Sequence, residues 1–86
     1  MKARFGRRFE KQFVKLSPRV QKRFAQRLET WLADPFDPRL RNHQLRGRFE
    51  GYRSIDVTGD YRAVYQVVSK QTGEFVAIGT HSQLYR

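Results

Sequence analysis

The stretch Asn42–Gln66, NHQLRGRFEGYRSIDVTGDYRAVYQ, carries the clearest strand and turn signals of this sequence. Apolar and polar residues alternate over Leu45–Phe49 and again over Tyr52–Val57, with a Glu-Gly pair between the two runs. Such alternation is typical of half-buried strands joined by a tight turn, so it predicts a β-hairpin. A Thr-Gly-Asp turn signal then leads into Tyr61–Val68, which is rich in aromatic and β-branched residues. We therefore predict three consecutive antiparallel strands.

Arginines occupy many polar positions of these strands. Arg46, Arg48, Arg53 and Arg62 lie within them, and His43 stands just before the first strand. The planar guanidinium group of arginine matches phosphate oxygens in two-point contacts. We expect these four arginines to bind phosphate groups. Arg62 has two other interpretations, because a strand residue at its position can also face the helices or pair with Asp60.

The chain is short and strongly basic. Its 86 residues suffice for one hydrophobic core, so we predict a single domain over residues 1–86. It has 18 Lys and Arg against 8 Asp and Glu, a formal net charge of +10, which favours nucleic acid as a partner. Without cysteine it has neither disulfides nor thiolate metal sites, and its two histidines alone rarely hold a metal. We expect neither a metal nor a cofactor.

The sequence has no apolar run of the roughly 18 residues that a membrane helix needs, and its start lacks the apolar core of a signal peptide. We therefore expect a cytoplasmic protein without a membrane partner.

Two amphipathic helices are predicted ahead of the strands. The first places Phe9, Phe13 and Leu16 on one face at helical spacing. Ser17-Pro18 marks a new start, since serine is a preferred N-cap and proline is tolerated at the first helical position. The second helix ends at the next Asp-Pro pair. Its core-facing stripe consists of Val20, Phe24, Leu28, Trp31 and Leu32.

The remaining segments complete the predicted fold. Met1–Phe5 is either a short edge strand or an entry segment, and Ser69–Gly73 is a polar turn before a last strand over Glu74–Thr80. Ser82–Arg86 is too short for a substantial helix. The fold class is α+β, with two antiparallel N-terminal helices packed on one face of a four- to five-stranded, mostly antiparallel sheet. We expect the other face to be free for chemistry.

Arginines, two histidines and a tyrosine suit metal-independent cleavage of RNA. The ribose 2′-OH attacks the adjacent phosphorus, so the site must remove one proton, stabilise the phosphate charge and protonate the departing 5′ oxygen. Histidine suits the proton transfers because its ordinary pKa is about 6.5. Each histidine also has a purely structural interpretation, His43 as a turn-capping or surface residue and His81 as a satisfied residue at a strand end.

The string from His43, HQLRGRFEGYRSIDVTGDY, and the ending IGTHSQLY resemble the RelE/ParE superfamily of type II toxins, and within it the YafQ branch of mRNA interferases. The resemblance covers essentially the whole chain, including the order of two helices followed by consecutive strands. It implies a RelE-like two-layer fold. It also implies a ribosome-associated endoribonuclease that cuts translated mRNA and is held inactive by a cognate antitoxin.

The resemblance implies roles for four residues. His43 falls on a functional histidine ahead of the hairpin, and Asp60 falls on an acidic residue after the second turn. His81 falls on the C-terminal histidine that acts in proton transfer. Tyr85 falls where the YafQ branch has an aromatic residue and where RelE-like members have a functional tyrosine. These four are our predicted catalytic residues.

The sequence departs from the YafQ branch on the strand that follows Gly51. Where that branch has an aspartate and a histidine, this chain has Ser54 and Asp56. In a regular strand, Ser54 and Asp56 share a face with Tyr52, while Arg53 points to the other face. Arg53 and Asp56 therefore cannot both reach one site unless the strand twists or bulges, and one of them is structural.

Two other functions fit the sequence. A ParE-like relative acts by binding a protein such as DNA gyrase, a topoisomerase, and needs no nuclease activity. A plain basic RNA-binding module would lack toxicity, but it is expected to carry a pair of stacking aromatics on its sheet. Tyr52 and Tyr61 do not form such a pair.

Overall fold

The computed structural model describes residues 1–85. Five strands form one sheet in the order β1-β5-β4-β3-β2, in which β1 runs parallel to β5 and the other neighbours are antiparallel. The elements in chain order are β1 (Lys2–Phe5), α1 (Arg7–Phe13), α2 (Pro18–Ala33), β2 (His43–Gln44), β3 (Arg53–Asp56), β4 (Tyr61–Ser69), β5 (Thr72–Thr80) and α3 (His81–Leu84). The predicted α+β class and mostly antiparallel sheet are confirmed. Arg86, the end of the predicted segment Ser82–Arg86, lies outside the described residues.

Helix α2 begins as its sequence predicts. The Ser17 hydroxyl accepts a hydrogen bond from the Val20 N–H at 3.3 Å, and Pro18 occupies the first turn, where it has no N–H to leave unpaired. Trp31 lies in the predicted core stripe and is fully buried. Leu32, also predicted in that stripe, is 38% exposed, because the residue after Trp31 is rotated by about 100° around the helix axis.

Helix α1 is attached to the sheet by a side-chain hydrogen bond. Gln12 Oε1 accepts from the Ile78 N–H at 2.9 Å. The Gln21 side chain, from α2, donates to the Phe13 carbonyl at 2.9 Å and so satisfies the end of α1. Phe9 is buried between these elements, and its ring lies 5.2 Å from that of Phe24. Both helices therefore cover the same face of the sheet.

The core on the helix side is here called the inner cluster, and its buried residues are Phe9, Val20, Phe24, Trp31, Leu40, Ile55, Val57, Ala63, Tyr65, Phe75 and Ile78. Trp31 is its largest fully buried side chain. Its ring packs edge-on against Tyr65 and Phe75, with centroid distances of 5.1 and 5.0 Å. Gly73 lies against the same ring, and a Cβ atom there would come within 2.7 Å of Trp31 Cζ2. The predicted turn Ser69–Gly73 was therefore too long: β5 already begins at Thr72, and its glycine gives the indole ring room to approach the backbone.

The expectation that the second face is free was only partly correct. A smaller group of buried residues, here called the outer cluster, covers part of it, and these residues are Phe49, Val64, Ala77 and Leu84. A β-bulge helps to build this cluster, because Val64 pairs with Ala77 while Tyr65 pairs with Phe75, which leaves Val76 as the extra residue. Val76 and Ala77 therefore both serve the outer cluster, whereas Phe75 and Ile78 face the helices.

The predicted strand Leu45–Phe49 was also wrong. Only His43–Gln44 pairs with β3, and residues 47–49 form a single 3₁₀ turn. Gly47 and Gly51 have φ values of +70° and +90°, so both bend the chain in the left-handed region that glycine tolerates. The Leu45 N–H still donates to the Tyr52 carbonyl at 3.0 Å, but no strand continues to Phe49, and both Leu45 and Phe49 pack in the outer cluster. Within residues 1–85, no helix is long and apolar enough to cross a membrane.

Candidate active site

Both histidines of the chain line one groove of about 300 Å³ on the outer face of the sheet. We call it the histidine groove; its walls are His43, Leu45, Arg46, Arg62, His81 and Tyr85. His43 comes from the edge strand β2, Arg62 from the start of β4, and His81 from the residue after β5. The fold thus brings together two imidazoles, two guanidinium groups and a phenol from distant parts of the sequence.

The tautomer of His43 is set by a backbone carbonyl. Its Nδ1 lies 2.9 Å from the carbonyl oxygen of Arg41, and a carbonyl oxygen can only accept, so Nδ1 carries the proton of this bond. In the neutral ring, Nε2 then carries the free lone pair that a general base requires. Arg41 presents its carbonyl from a left-handed conformation, with φ 50° and ψ 45°.

His81 is held at the first turn of α3. Its N–H donates to the Asp60 carbonyl at 3.3 Å. A capping box fixes the turn: the Gln83 N–H donates to Thr80 Oγ1 at 3.2 Å, and the Thr80 N–H donates to Gln83 Oε1 at 2.9 Å. The imidazole ring lies 4.7 Å from the ring of Tyr85 at an interplanar angle of 61°. The position of His81 therefore depends on both the turn and the tyrosine.

Tyr85 joins the histidine groove to the outer cluster. Its ring stands edge-on to that of Phe49, 6.0 Å away between centroids. Its hydroxyl oxygen is buried and has no hydrogen-bond partner within residues 1–85. A buried hydroxyl normally finds a partner, so this atom has an unused capacity to donate or accept a hydrogen bond beside His81.

Arg62 is the most firmly held cation of the groove. Its Nε lies 2.9 Å from Asp56 Oδ1, and its Nη1 donates to the carbonyls of Thr58, Gly59 and Tyr61 at 3.2, 3.0 and 3.3 Å. These contacts fix a long side chain that would otherwise have many rotamers.

Asp56 holds Arg62 from the position where the YafQ branch has a different residue. Its other oxygen lies 3.5 Å from Nε of Arg41, so one carboxylate contacts two guanidinium groups. Sequence reasoning considered Asp60 as the partner of Arg62 and missed Asp56. The signal was present, since a hairpin closed around residues 58–60 places residues 56 and 62 opposite each other, as the observed register does.

The other predicted site residues lie outside the histidine groove. Arg48 contacts the Phe49 ring and lines a neighbouring cleft with Arg7 and Arg8 of α1. Arg53 points away from the groove, as the regular strand predicts, and donates from Nε to Asn42 Oδ1 at 2.7 Å. Asp60 is exposed and reaches the site only through its backbone carbonyl.

Solved toxin structures share this fold. The YoeB/ParE toxin from Agrobacterium tumefaciens superposes with a TM-score of 0.77 at 21% identity, covering 94% of this chain and 99% of that one. YafQ from E. coli BL21(DE3) gives 0.73 at 26% identity, with 99% and 98% covered. The E. coli DinJ-YafQ toxin-antitoxin complex gives 0.71 at 27% identity, with 99% and 97% covered. The fold thus defines a toxin of the RelE/ParE superfamily similar to YafQ.

The sequence agrees with this classification. The model of the family described as "ParE toxin of type II toxin-antitoxin system, parDE" matches residues 3–85. The chain therefore belongs to the ParE toxin family and is a toxin of a type II toxin–antitoxin system. No curated protein matches it.

Proposed function

We propose that this toxin is a ribosome-associated, metal-independent endoribonuclease that cleaves translated mRNA. The observation that carries the proposal is the meeting of His43 and His81 in one groove with Arg46 and Arg62. Two imidazoles supply both proton transfers that attack by the ribose 2′-OH requires, and the two guanidinium groups supply the positive charge that the phosphate requires. The likeness to YafQ, at 26% identity over nearly the whole chain, supports it.

The reaction we propose assigns one proton step to each histidine. Nε2 of His43, free because Nδ1 is bound to the Arg41 carbonyl, takes the proton from the 2′-OH. The 2′ oxygen then bonds to phosphorus, and Arg62 and Arg46 stabilise the added negative charge. His81, in its charged form, gives a proton to the 5′ oxygen as the P–O bond breaks. The products are a 2′,3′-cyclic phosphate and a free 5′ hydroxyl.

Tyr85 and Asp60 take supporting roles in this proposal. The Tyr85 ring orients the His81 imidazole, whose centroid lies 4.7 Å from it. The Asp60 carbonyl receives the His81 N–H, so Asp60 acts through the backbone and its carboxylate adds negative charge at the rim. Arg48 extends the basic surface from the groove towards α1, where it meets further phosphates of the RNA.

The test is mRNA cleavage on purified translating ribosomes. We expect His81→Ala to lower the rate by about 10² to 10⁴, the usual value of general acid–base catalysis, and to abolish growth arrest. His43→Ala should show a loss of similar size, and Tyr85→Phe a smaller one. Circular dichroism verifies that each variant is folded. Cleavage within about threefold of wild type for both histidine variants would overturn the nuclease proposal.

We further propose that a cognate antitoxin keeps the protein inactive in the cytoplasm. The net charge of +10 calls for an acidic or amphipathic partner segment that covers the histidine groove. YafQ and the toxin of the E. coli RelBE complex are both found with antitoxins, and RelBE superposes with a TM-score of 0.71 at 25% identity, with 92% and 94% covered. Co-expression with the adjacent gene should relieve growth arrest; a complex that leaves His81 exposed would contradict occlusion.

The match to the ParE family itself favours one other function, the binding of a protein target such as DNA gyrase without nuclease activity. The histidine variants separate the two. A ParE-like mechanism predicts that His43→Ala and His81→Ala remain fully toxic, whereas the nuclease mechanism predicts that both lose toxicity.

A further inference from the structure

Phe36 is an aromatic side chain that the fold leaves 64% exposed. It lies in the loop between α2 and β2, where its N–H donates to Asp34 Oδ1 at 3.0 Å. The guanidinium carbon of Arg53 lies 5.1 Å from the centroid of its ring. We call this arrangement the Phe36–Arg53 stack. An exposed ring beside a guanidinium group is the combination on which proteins stack unpaired bases.

The stack is held in place from beneath. Arg53 Nε donates to Asn42 Oδ1 at 2.7 Å, and Asn42 Nδ2 lies 2.8 Å from the Pro35 carbonyl and 2.7 Å from the Tyr65 hydroxyl. Tyr65 is part of the inner cluster, so the network ties a surface guanidinium group to the core. The side chains therefore need little further ordering when a ligand binds, which favours affinity.

The stack lies one residue pair from the histidine groove, around the edge of the sheet. In the register of β2 and β3, His43 faces Ser54 and Gln44 faces Arg53. Strand β2 has only two residues and forms the sheet edge, so the route from the groove to the stack passes around this short edge. Arg41 lies between Phe36 and His43 in sequence. Its side chain is 79% exposed and contacts Asp56, on the face of the sheet that holds the groove.

The charges around the stack favour an anionic chain. The positive groups are Arg39, Arg41 and Arg53, and the negative groups of the loop are Asp34 and Asp37. Both carboxylates already accept hydrogen bonds, Asp34 from the Phe36 N–H and Asp37 from Arg39. Asp56 contacts both Arg41 and Arg62, so four guanidinium groups stand against three carboxylates along the path from the groove to the stack.

We propose that Phe36 and Arg53 bind an unpaired RNA base that flanks the bond held in the histidine groove. The inference rests on the proposed function, because it takes the ligand of the groove to be single-stranded RNA. Arg53 then contacts RNA although it faces away from the histidines. Stacking tolerates all four bases, so the site adds affinity and fixes the path of the strand without reading sequence.

The test compares RNAs of two lengths, each with a 2′-deoxy group at the cleavage position so that binding is measured without reaction. A dinucleotide occupies the histidine groove alone, and a heptanucleotide also reaches the stack. We expect Phe36→Ala to weaken heptanucleotide binding by about 5- to 150-fold, the usual value of one stacked base, and to leave dinucleotide binding unchanged. Val68→Ala truncates another exposed apolar side chain and should change neither affinity.

Phe36→Trp provides a second readout. An indole ring stacks on bases at least as well as a phenyl ring, so this variant should bind the heptanucleotide with wild-type affinity and show quenched fluorescence on binding. Trp31, which is fully buried, contributes a constant background. Equal heptanucleotide affinity for Phe36→Ala and wild type would overturn this inference alone. Absence of any RNA binding by the wild-type protein would overturn the proposed function and this inference together.

Discussion

Asp56 and Arg62 face each other across β3 and β4, with a carboxylate oxygen 2.9 Å from the guanidinium Nε. The side chains are only 16% and 22% exposed, so solvent screens the pair less than it screens a surface pair. The position that differs from the YafQ branch thus holds a carboxylate that fixes Arg62, the arginine that we propose binds phosphate. Both oxygens of the Asp56 carboxylate already contact guanidinium groups, one from Arg62 and one from Arg41.

The first prediction follows from this pair. Asp56→Asn removes the charge that holds Arg62 but keeps the size of the side chain. We expect the cleavage rate at saturating RNA to fall up to about 100-fold, the cost of misplacing a contact by roughly 1 Å. RNA affinity should not fall, because the variant loses a negative charge at the groove.

A matched control is Glu74→Gln, which removes an equal charge from the exposed pair with Arg4 at the other side of the sheet. It should cleave at the wild-type rate. If Asp56→Asn also cleaves at the wild-type rate, Arg62 does not need Asp56 for its alignment.

The second prediction separates the two histidines by their proton steps. An RNA with a bridging sulfur at the 5′ position has a thiolate leaving group, and thiols have an ordinary pKa of about 8.5, so it departs without a general acid. On this substrate His81→Ala should cleave within about tenfold of wild type. His43→Ala should remain about 10² to 10⁴ slower, because the attack on phosphorus still needs a base. Rescue of His43→Ala instead would reverse the assignment.

The third prediction concerns salt. If five to seven phosphates are neutralised by the basic surface, the logarithm of the affinity for single-stranded RNA should fall with the logarithm of salt concentration at a slope of about −3 to −5. Arg46→Gln should make the slope shallower by about 0.7, the contribution of one phosphate. Filter binding at a series of salt concentrations measures both; a slope near zero would show that charge does not drive binding.

The fourth prediction concerns the close contact of Trp31 with Gly73. Trp31→Ala should lower the free energy of unfolding by about 3 to 5 kcal/mol, most of the stability of a small domain. Gly73→Ala should cost about 1 to 3 kcal/mol, because the new methyl group meets the indole ring.

The two changes should not be additive, since the cavity left by Trp31→Ala accommodates the methyl group of Gly73→Ala. Trp31→Phe provides a milder background if the double variant does not fold. Urea denaturation of all variants gives the coupling free energy between the two positions. Strictly additive values would show that the cost of Gly73→Ala does not come from a clash with the indole ring.

The fifth prediction concerns pH. Hydrogen bonds from the Arg39 side chain and then from its backbone N–H lower the pKa of Asp37 from 3.8 to about 2. A lowered pKa means that the folded state favours the charged carboxylate, so its stabilising effect is full above pH 3.8 and is lost as pH falls through about 2. The melting temperature of Asp37→Asn should therefore fall below that of wild type at pH 5, and the difference should shrink steadily as pH falls from about 4 through 2. A constant difference would exclude ionisation of Asp37 as its cause.

The helices and most strand positions could be predicted from local sequence. Ser17 caps α2 as its type suggests, and Trp31 is buried as its spacing suggests. The segment after His43 could not be predicted in this way. An alternating pattern does not show whether Leu45 and Phe49 pair along a strand or lie in a segment that bends at two glycines. The bulge at Val76 was equally hidden, since it depends on packing from both faces of the sheet.

The candidate site was predictable in its residue types but not in its grouping. His43 and His81 could be singled out because few other side chains exchange protons near neutral pH. Whether Arg53 or Arg62 accompanies them depends on strand register, which places Arg62 in the histidine groove and Arg53 beneath Phe36. The hydrogen bond that sets the His43 tautomer depends on the left-handed backbone of Arg41, for which the sequence has no signal.

The outer cluster, against which the groove residues Leu45 and Tyr85 pack, has only four buried side chains within residues 1–85. A region with so few apolar contacts opens at a lower free energy than the larger core behind it. Amide hydrogens of α3 and of residues 45–52 should consequently exchange with solvent faster than those in the centres of β4 and β5. The toxin is therefore expected to lose activity on warming before helices α1 and α2 melt, and a protease should nick residues 45–52 first.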